Sequence, residues 1–273
     1  MIAAILKENI QGETRVAATP KTVKELIDNG LQLRVQSGAG ESSFHSDQAY
    51  KDAGGEITPD VSSTLSGANI VLKVSPLTLD EVDALDEGSI YVSLLQTTKE
   101  IDLVKRLTEK KVTGFSMHLI PRTTLAQSMD ALSSQANIAG YKSVLVGAAH
   151  LAVYMPLLMT AAGTIPPAKV LIVGAGVAGL QAIATANRLG AQVEAFDVRP
   201  EVKEQVESLG AKFIEIESQD KEGVGDGGYA KETSDDYKKQ QELKIKERTA
   251  KSDLVITTAL IPGKPAPVLI NKD

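Results

Sequence analysis

Three glycines and one acid make the clearest chemical pattern in the chain. Gly174, Gly176 and Gly179 form G-x-G-x-x-G within VLIVGAGVAGLQAIATANRLGAQVEAFD, and Asp197 ends the next apolar run, about 20 residues on, where a ribose-binding acid belongs. The three glycines alone are a weak signal. Here an apolar strand precedes them, a helix follows, and a second strand carries the acid. The first glycine permits a tight turn, the second lets backbone approach a pyrophosphate, and the third lets helix and strand pack closely. The helix N-terminus then faces the phosphates with unpaired N–H groups, and Val177 sits over the cofactor. Asp197 accepts hydrogen bonds from ribose hydroxyls and repels a 2′-phosphate, which favours NAD over NADP. Arg199 complicates that choice, because a nearby Arg accommodates the 2′-phosphate; its other readings are a surface salt bridge or stacking on adenine.

A second set of polar groups lies in RTTLAQSMDALSSQ, Arg122 to Gln135. The spacing predicts an amphipathic helix whose apolar stripe is Leu125, Met129 and Leu132. Gln127, Asp130 and Ser133 fall on a different side, with Arg122 just before the first turn. A solvated face explains these residues taken alone. His45, His118 and His150 are scattered without metal-like spacing and read as structural.

The elements that would carry these groups alternate strand and helix. Ile2 to Leu6, Leu31 to Val35, Ile70 to Val74, Ile90 to Leu95 and Val112 to Met117 read as strands. Thr19-Pro20 opens a helix that Gly30 closes, and Thr98 to Lys111 is a charged helix. A long helical region reaches about Met159, and GTIPPAK is a stiff linker. Val144 to Ala162 carries no charged residue except His150 and reads as a buried helix between domains. The alternation then restarts with KVLIV, AQVEAF and KFIEI. Ser218 to Glu232 is a Gly-rich charged loop, Asp235 to Lys251 a solvated helix, and Leu254 to Thr258 a last strand. This βαβ punctuation predicts an α/β fold with parallel sheets. The expected division is 1–125, an interdomain helix and linker at 126–165, and a nucleotide-binding region at 166–273 that looks truncated at its C-terminus.

The totals restrict function further. The chain has 273 residues, is 42% hydrophobic, 23% charged and 4% aromatic, and carries a formal charge of −6. An acidic balance argues against nucleic acid and anionic membrane as main partners. The absence of Cys rules out disulfides, thiolate zinc sites and Cys nucleophiles. No membrane-spanning segment is expected.

RTTLAQSMDALSSQANIAGY, MTAAGTIPPAKVLIVGAGVAGLQAIATANRLGA, FDVRPEVKEQVESLGAKF, GGYAKE and TTALIPGKPAP together resemble the NAD(H)-binding domain I of proton-translocating nicotinamide nucleotide transhydrogenase. The resemblance runs from the first strand to residue 273. It implies two Rossmann-like, doubly wound subdomains joined by a long helix, with NAD on the second, and a homodimer. Hydride would pass directly between NADH and NADP+ on a partner domain III, coupled to proton movement through a membrane domain II. The place would be the cytoplasmic side of a bacterial inner membrane. By the same resemblance Arg122, Thr123, Thr124, Leu125, Gln127, Asp130 and Ser133 hold the nicotinamide and its ribose. Gln127 bridges the two nucleotides and Asp130 stabilises an oxidised ring. Asp197, Val198 and Arg199 take the adenosine end, Gly228 and Tyr229 belong to a mobile loop, and Gln241 and Leu260 also touch NAD. Alanine dehydrogenase, related in fold, is the alternative. Arg15 and Lys73 stand where its substrate-binding Arg and Lys would be, but Gln96 replaces its catalytic His and cannot carry a proton. Arg15 and Lys73 then read as shared ancestry or structural ion pairs. A non-enzymatic NAD sensor would need the fingerprint but not Gln127 and Asp130.

Overall fold

A computed structural model describes residues 1–121, 123–216, 235–260 and 266–270. The chain divides into two compact units, Met1–Asp130 and Ala131–Asp273.

Unit 1 is a six-stranded, wholly parallel sheet: β1 (Ile2–Ile5), β2 (Gln32–Gln36), β3 (Glu56–Thr58), β4 (Ile70–Leu72), β5 (Ile90–Ser93) and β6 (Thr113–Ser116). Its spatial order is β3-β2-β1-β4-β5-β6. Between the strands run α1 (Pro20–Asp28), α2 (Asp47–Asp52), α3 (Val61–Leu65), α4 (Leu79–Asp83) and α5 (Ile101–Glu109). The central strand shows why: Ala4 and Leu6 enter one core with Val71, Tyr91 and Leu103, whereas Ala3 and Ile5 enter another with Val23, Leu33 and Tyr50. Alternate side chains leave opposite faces of a strand, so a run apolar at every position must be buried on both sides. Helix starts follow the cap rules: Thr19 and Thr78 each accept a backbone N–H of the first turn, with Pro20 at the first position of α1.

Unit 2 repeats the plan, with four parallel strands among the described residues. β9 (Lys169–Val173), β10 (Gln192–Phe196), β11 (Lys212–Phe213) and β12 (Leu254–Thr257) are parallel in the order β11-β10-β9-β12. Val170 and Ile172 face a core with Ile183 and Val206; Leu171 and Val173 face the other with Phe196, Ile214 and Ile245. The helices are α6 (Ala131–His150), α7 (Val177–Arg188), α8 (Lys203–Ser208) and α9 (Asp235–Thr249). In the chain, α6 stands between the two parallel sheets. It crosses α7 so closely that a Cβ on Gly140 would lie 2.1 Å from the carbonyl oxygen of Ala178.

The structure corrects two expectations. The stretch 122–135 is not one amphipathic helix. Thr124–Met129 is a 3-10 turn, Asp130 leaves the helical region at ψ 77°, and α6 begins at Ala131. The supposed stripe is not packed either: Leu125 is 93% exposed and Met129 53%. The long helix also ends early, at His150. Pro156 cannot continue an α-helix ladder, and Leu158–Thr160 pairs antiparallel with Gly163–Ile165 as β7 and β8. So Val144 to Ala162 is not a buried helix, and half of the expected linker is an exposed strand. Among the described residues no helix is long and apolar enough to cross a membrane.

Candidate functional site

The turn between β9 and α7 gives each glycine a distinct physical task. Gly174 has φ +104°, a conformation that side chains disfavour. A Cβ there would also meet Thr258 Oγ1 at 2.7 Å and the Ala259 nitrogen at 3.0 Å. Gly179 sits in the first turn of α7, where a Cβ would fall 1.8 Å from the Gly174 carbonyl oxygen. The helix can follow the strand this tightly only without a side chain at that position. Gly176 differs: among the described residues nothing lies within 4 Å of the Cβ position. No described residue packs against that position, and the glycine leaves bare backbone beside the start of α7. Gly176 caps α7 with no side-chain hydrogen bond, so among the described residues the first N–H groups keep the orphan character of a helix N-terminus. Val177, on the first position of α7, is exposed.

The turn is braced from two sides. Thr258, just past β12, donates its hydroxyl to the Gly174 carbonyl at 2.8 Å and its N–H to the Val173 carbonyl at 2.8 Å. The Asp197 carboxylate, at the end of β10, accepts the Ala175 N–H at 2.7 Å. It also accepts the Arg199 N–H at 2.9 Å and two guanidinium bonds, from Nε at 3.0 Å and Nη2 at 3.1 Å. The guanidinium is held above its ordinary pKa chiefly by the Asp197 hydrogen bond. Arg199 is therefore an ion-pair partner of Asp197, and the pair is largely buried. Val198 is half-buried between them and packs on the core of unit 2. Winding of the sheet reverses between β9 and β12, and a parallel sheet takes its ligand outside the carboxyl ends at that point. Gly174, Gly176, Gly179, Asp197 and Arg199 all stand there. Thr258 does too, and sequence reading did not single it out; its only signal was its place at the end of the strand beside β9.

The other sequence-predicted residues are spread more widely. In unit 1, Thr123, Thr124, Leu125 and Gln127 are exposed on the 3-10 turn, which buried Ala126 anchors. The half-buried Asp130 donates its N–H to the Gln127 carbonyl at 3.3 Å. In unit 2, Ser133 is half-buried in the first turn of α6, Gln241 is buried on α9, and Leu260 is exposed beyond β12. Arg122, Gly228 and Tyr229 lie outside the described residues.

The groups that an amino-acid dehydrogenase would use are engaged elsewhere. Lys73 has a fully buried side chain; its ammonium bonds both Glu81 oxygens at 2.7 and 2.8 Å and Asn9 Oδ1 at 3.3 Å. Arg15 is bound to Glu13 at 2.6 Å. His45 meets Tyr50 edge-on, His150 Nδ1 is 2.8 Å from the Val146 carbonyl, and burial pulls the His118 pKa down. Among the described residues there is no group of three or more acids or histidines able to hold a metal.

Comparison with known proteins agrees with this geometry. Residues 4–139 match the alanine dehydrogenase/PNT N-terminal domain and residues 143–273 the alanine dehydrogenase/PNT C-terminal domain. An NAD(P) transhydrogenase subunit alpha polypeptide of Rhodospirillum rubrum is 48% identical over all of this chain and 73% of its own length. The crystal structure of transhydrogenase from Sinorhizobium meliloti superposes with a TM-score of 0.86 and 42% identity, over 98% of this chain and 73% of that one. Alanine dehydrogenase of Staphylococcus haemolyticus is 31% identical over all of this chain and 68% of its own length.

Proposed function

The chain belongs to the alanine dehydrogenase/PNT family, and from that premise we propose that it is the NAD(H)-binding component of a proton-translocating transhydrogenase. Bound NADH supplies a hydride to NADP+ held on a separate partner domain, and a membrane domain couples that transfer to proton movement. The single observation that carries the nucleotide assignment is the turn at Gly174–Gly179, where Gly176, against which no described residue packs, leaves backbone open at the start of α7. A pyrophosphate needs that opening and the N–H groups behind it. Asp197 holds the adenosine ribose, and Val198 and Arg199 flank it. At the other end of the cofactor Arg122, Gln127, Asp130 and Ser133 orient the nicotinamide, Asp130 as the carboxylate that favours a cationic ring and Gln127 as the amide that reaches the second nucleotide. Thr123, Thr124, Leu125, Gln241 and Leu260 add contacts, and Gly228 and Tyr229 belong with them on the family resemblance.

This reading includes a homodimer, docked on its partner domains at the cytoplasmic face of a bacterial inner membrane, and the threefold division 1–125, 126–165 and 166–273. Alanine dehydrogenase activity is disfavoured by Lys73. Its three N–H donors already have three acceptors, and an ammonium has no fourth to offer a substrate. The greater identity to the transhydrogenase relative points the same way.

Fluorescence titration tests the assignment. NADH should bind at least about tenfold more tightly than NADPH, a difference of about 1.4 kcal/mol, because a 2′-phosphate meets the Asp197 carboxylate. Equal or tighter NADPH binding would mean that Arg199 outweighs Asp197 and that the cofactor is misassigned.

A further inference from the structure

Unit 1 has the strand order of a doubly wound nucleotide-binding sheet, and its winding reverses between β1 and β4. A ligand would be expected outside the carboxyl ends of those two strands. The carboxyl end of β4 leads into Lys73, Val74 and Ser75, and that of β1 into Leu6, Lys7 and Glu8. Val74 donates its N–H to Glu8 Oε1 at 2.7 Å, and Ser75 donates its N–H to Glu8 Oε2 at 3.0 Å. Two successive backbone N–H groups converging on one anion form the kind of concavity that binds phosphates and carboxylates. Here the anion is a side chain of the same protein.

The groups around the cradle are closed on one another. Lys73 is saturated by Glu81 and Asn9. Glu81 in turn accepts the Thr78 N–H at 2.8 Å, which fixes it to the start of α4. The Tyr91 hydroxyl accepts the Leu77 N–H at 3.0 Å and reaches the Ser75 carbonyl at 3.4 Å. Burial, with Glu8 and Glu81 nearby, pushes its pKa to about 12, so it remains a phenol. These partners lie on β1, β4, β5, α4 and the segments that follow them.

We infer that Glu8 is a built-in ligand: it occupies a small-carboxylate site at the switch point of unit 1, and so closes that crevice to external acids. The cradle reads one carboxylate through two parallel N–H bonds. Removing the Glu8 side chain should turn an internal ligand into a vacant site for a free carboxylate of one or two carbons. The inference is independent of the nucleotide assignment in unit 2, since no residue of unit 2 takes part.

The test is thermal unfolding of Glu8→Ala in the intact chain, with sodium formate against sodium chloride at matched ionic strength. The variant should melt roughly 4 °C below the parent, the scale of a lost charge-assisted contact in a chain of this size. Formate should restore most of that loss saturably, as mass action requires of a ligand that binds the native state, and chloride should not. The parent should respond to neither. An unchanged melting temperature in Glu8→Ala, no recovery with formate, or an equal formate response in the parent overturns the inference. If Glu8→Ala does not fold, Glu8→Gln decides by amide hydrogen exchange. Loss of the negative charge should speed exchange at Val74 and Ser75 by about tenfold, and unchanged protection there overturns it.

Discussion

Gly176 and Gly179 stand three residues apart in the same turn, yet an added methyl group should do opposite things at each. At Gly176 the backbone is extended, with φ −77°, and no described residue lies within 4 Å of a Cβ. Gly176→Ala should therefore fold normally. Where a new side chain fits without strain, the loss of glycine freedom in the unfolded chain even stabilises by about 0.4–1 kcal/mol. The methyl group stands instead where a pyrophosphate must approach backbone. Losing one or two phosphate hydrogen bonds of the charged kind, about 1.5–3 kcal/mol each, should weaken NADH binding by at least about tenfold. At Gly179 the new Cβ would lie 1.8 Å from the Gly174 carbonyl oxygen. Both atoms belong to the turn itself, so no flexible side chain can yield. Overpacking of this kind costs about 1–3 kcal/mol or more, and Gly179→Ala should lower the melting temperature as well as affinity. Differential scanning calorimetry and NADH titration of the two variants separate these effects. A Gly176→Ala protein that binds NADH like the parent would refute the reasoning, because the open space would then have no ligand to serve.

Other outcomes follow from the same geometry. Gly140→Ala should destabilise unit 2 by about 1–3 kcal/mol, measured by denaturant unfolding, because its Cβ would meet the Ala178 carbonyl oxygen at 2.1 Å. Gln127→Asn should leave NADH affinity near that of the parent while stopped-flow hydride transfer falls, because reacting atoms must come within about 3–3.5 Å; an equal loss of both would make Gln127 a binding residue. His118 has a folded pKa below its ordinary value, from burial first and Lys99 second. The unfolded chain then binds the proton more readily, so the contribution of His118 is present above the ordinary value of 6.5 and is lost as pH falls towards the folded pKa. His118→Gln should flatten the slope of melting temperature against pH in that window, and an unaltered slope would show that other groups set it.

The features legible in the sequence were those that depend on short-range order. Apolar runs of four or five residues become buried parallel strands in both units, because a run without alternation has to be covered on both faces. The glycine turn was legible for the same reason: spacing, strand and acid all lie within one βαβ segment. What sequence did not disclose depends on partners far along the chain. Thr258 braces the Gly174 carbonyl from 84 positions away, and Glu8 caps the N–H groups of Val74 and Ser75 from 66 and 67 positions away. The stretch from Arg122 to Gln135 misled because helical spacing persists across Asp130, where the backbone breaks. The hairpin of β7 and β8 was hidden in an uncharged segment whose hydropathy fits a buried helix equally well, and there Pro156 carried more information than the apolar residues around it. Arg199 allowed several readings, and its two guanidinium bonds to Asp197, two positions away, are compatible with more than one of them.

The central claim is that this chain holds NAD(H) for direct transfer to a second nucleotide. Its most direct measurement mixes the chain with a separately purified NADP(H)-binding domain of a transhydrogenase and follows hydride transfer from NADH to an NADP+ analogue with a distinct absorbance. L-alanine plus NAD+ serves as the control reaction. The account predicts transfer that requires both proteins and no turnover with alanine. Alanine-dependent reduction of NAD+ by this chain alone, with no transfer to the NADP+ analogue, would contradict it.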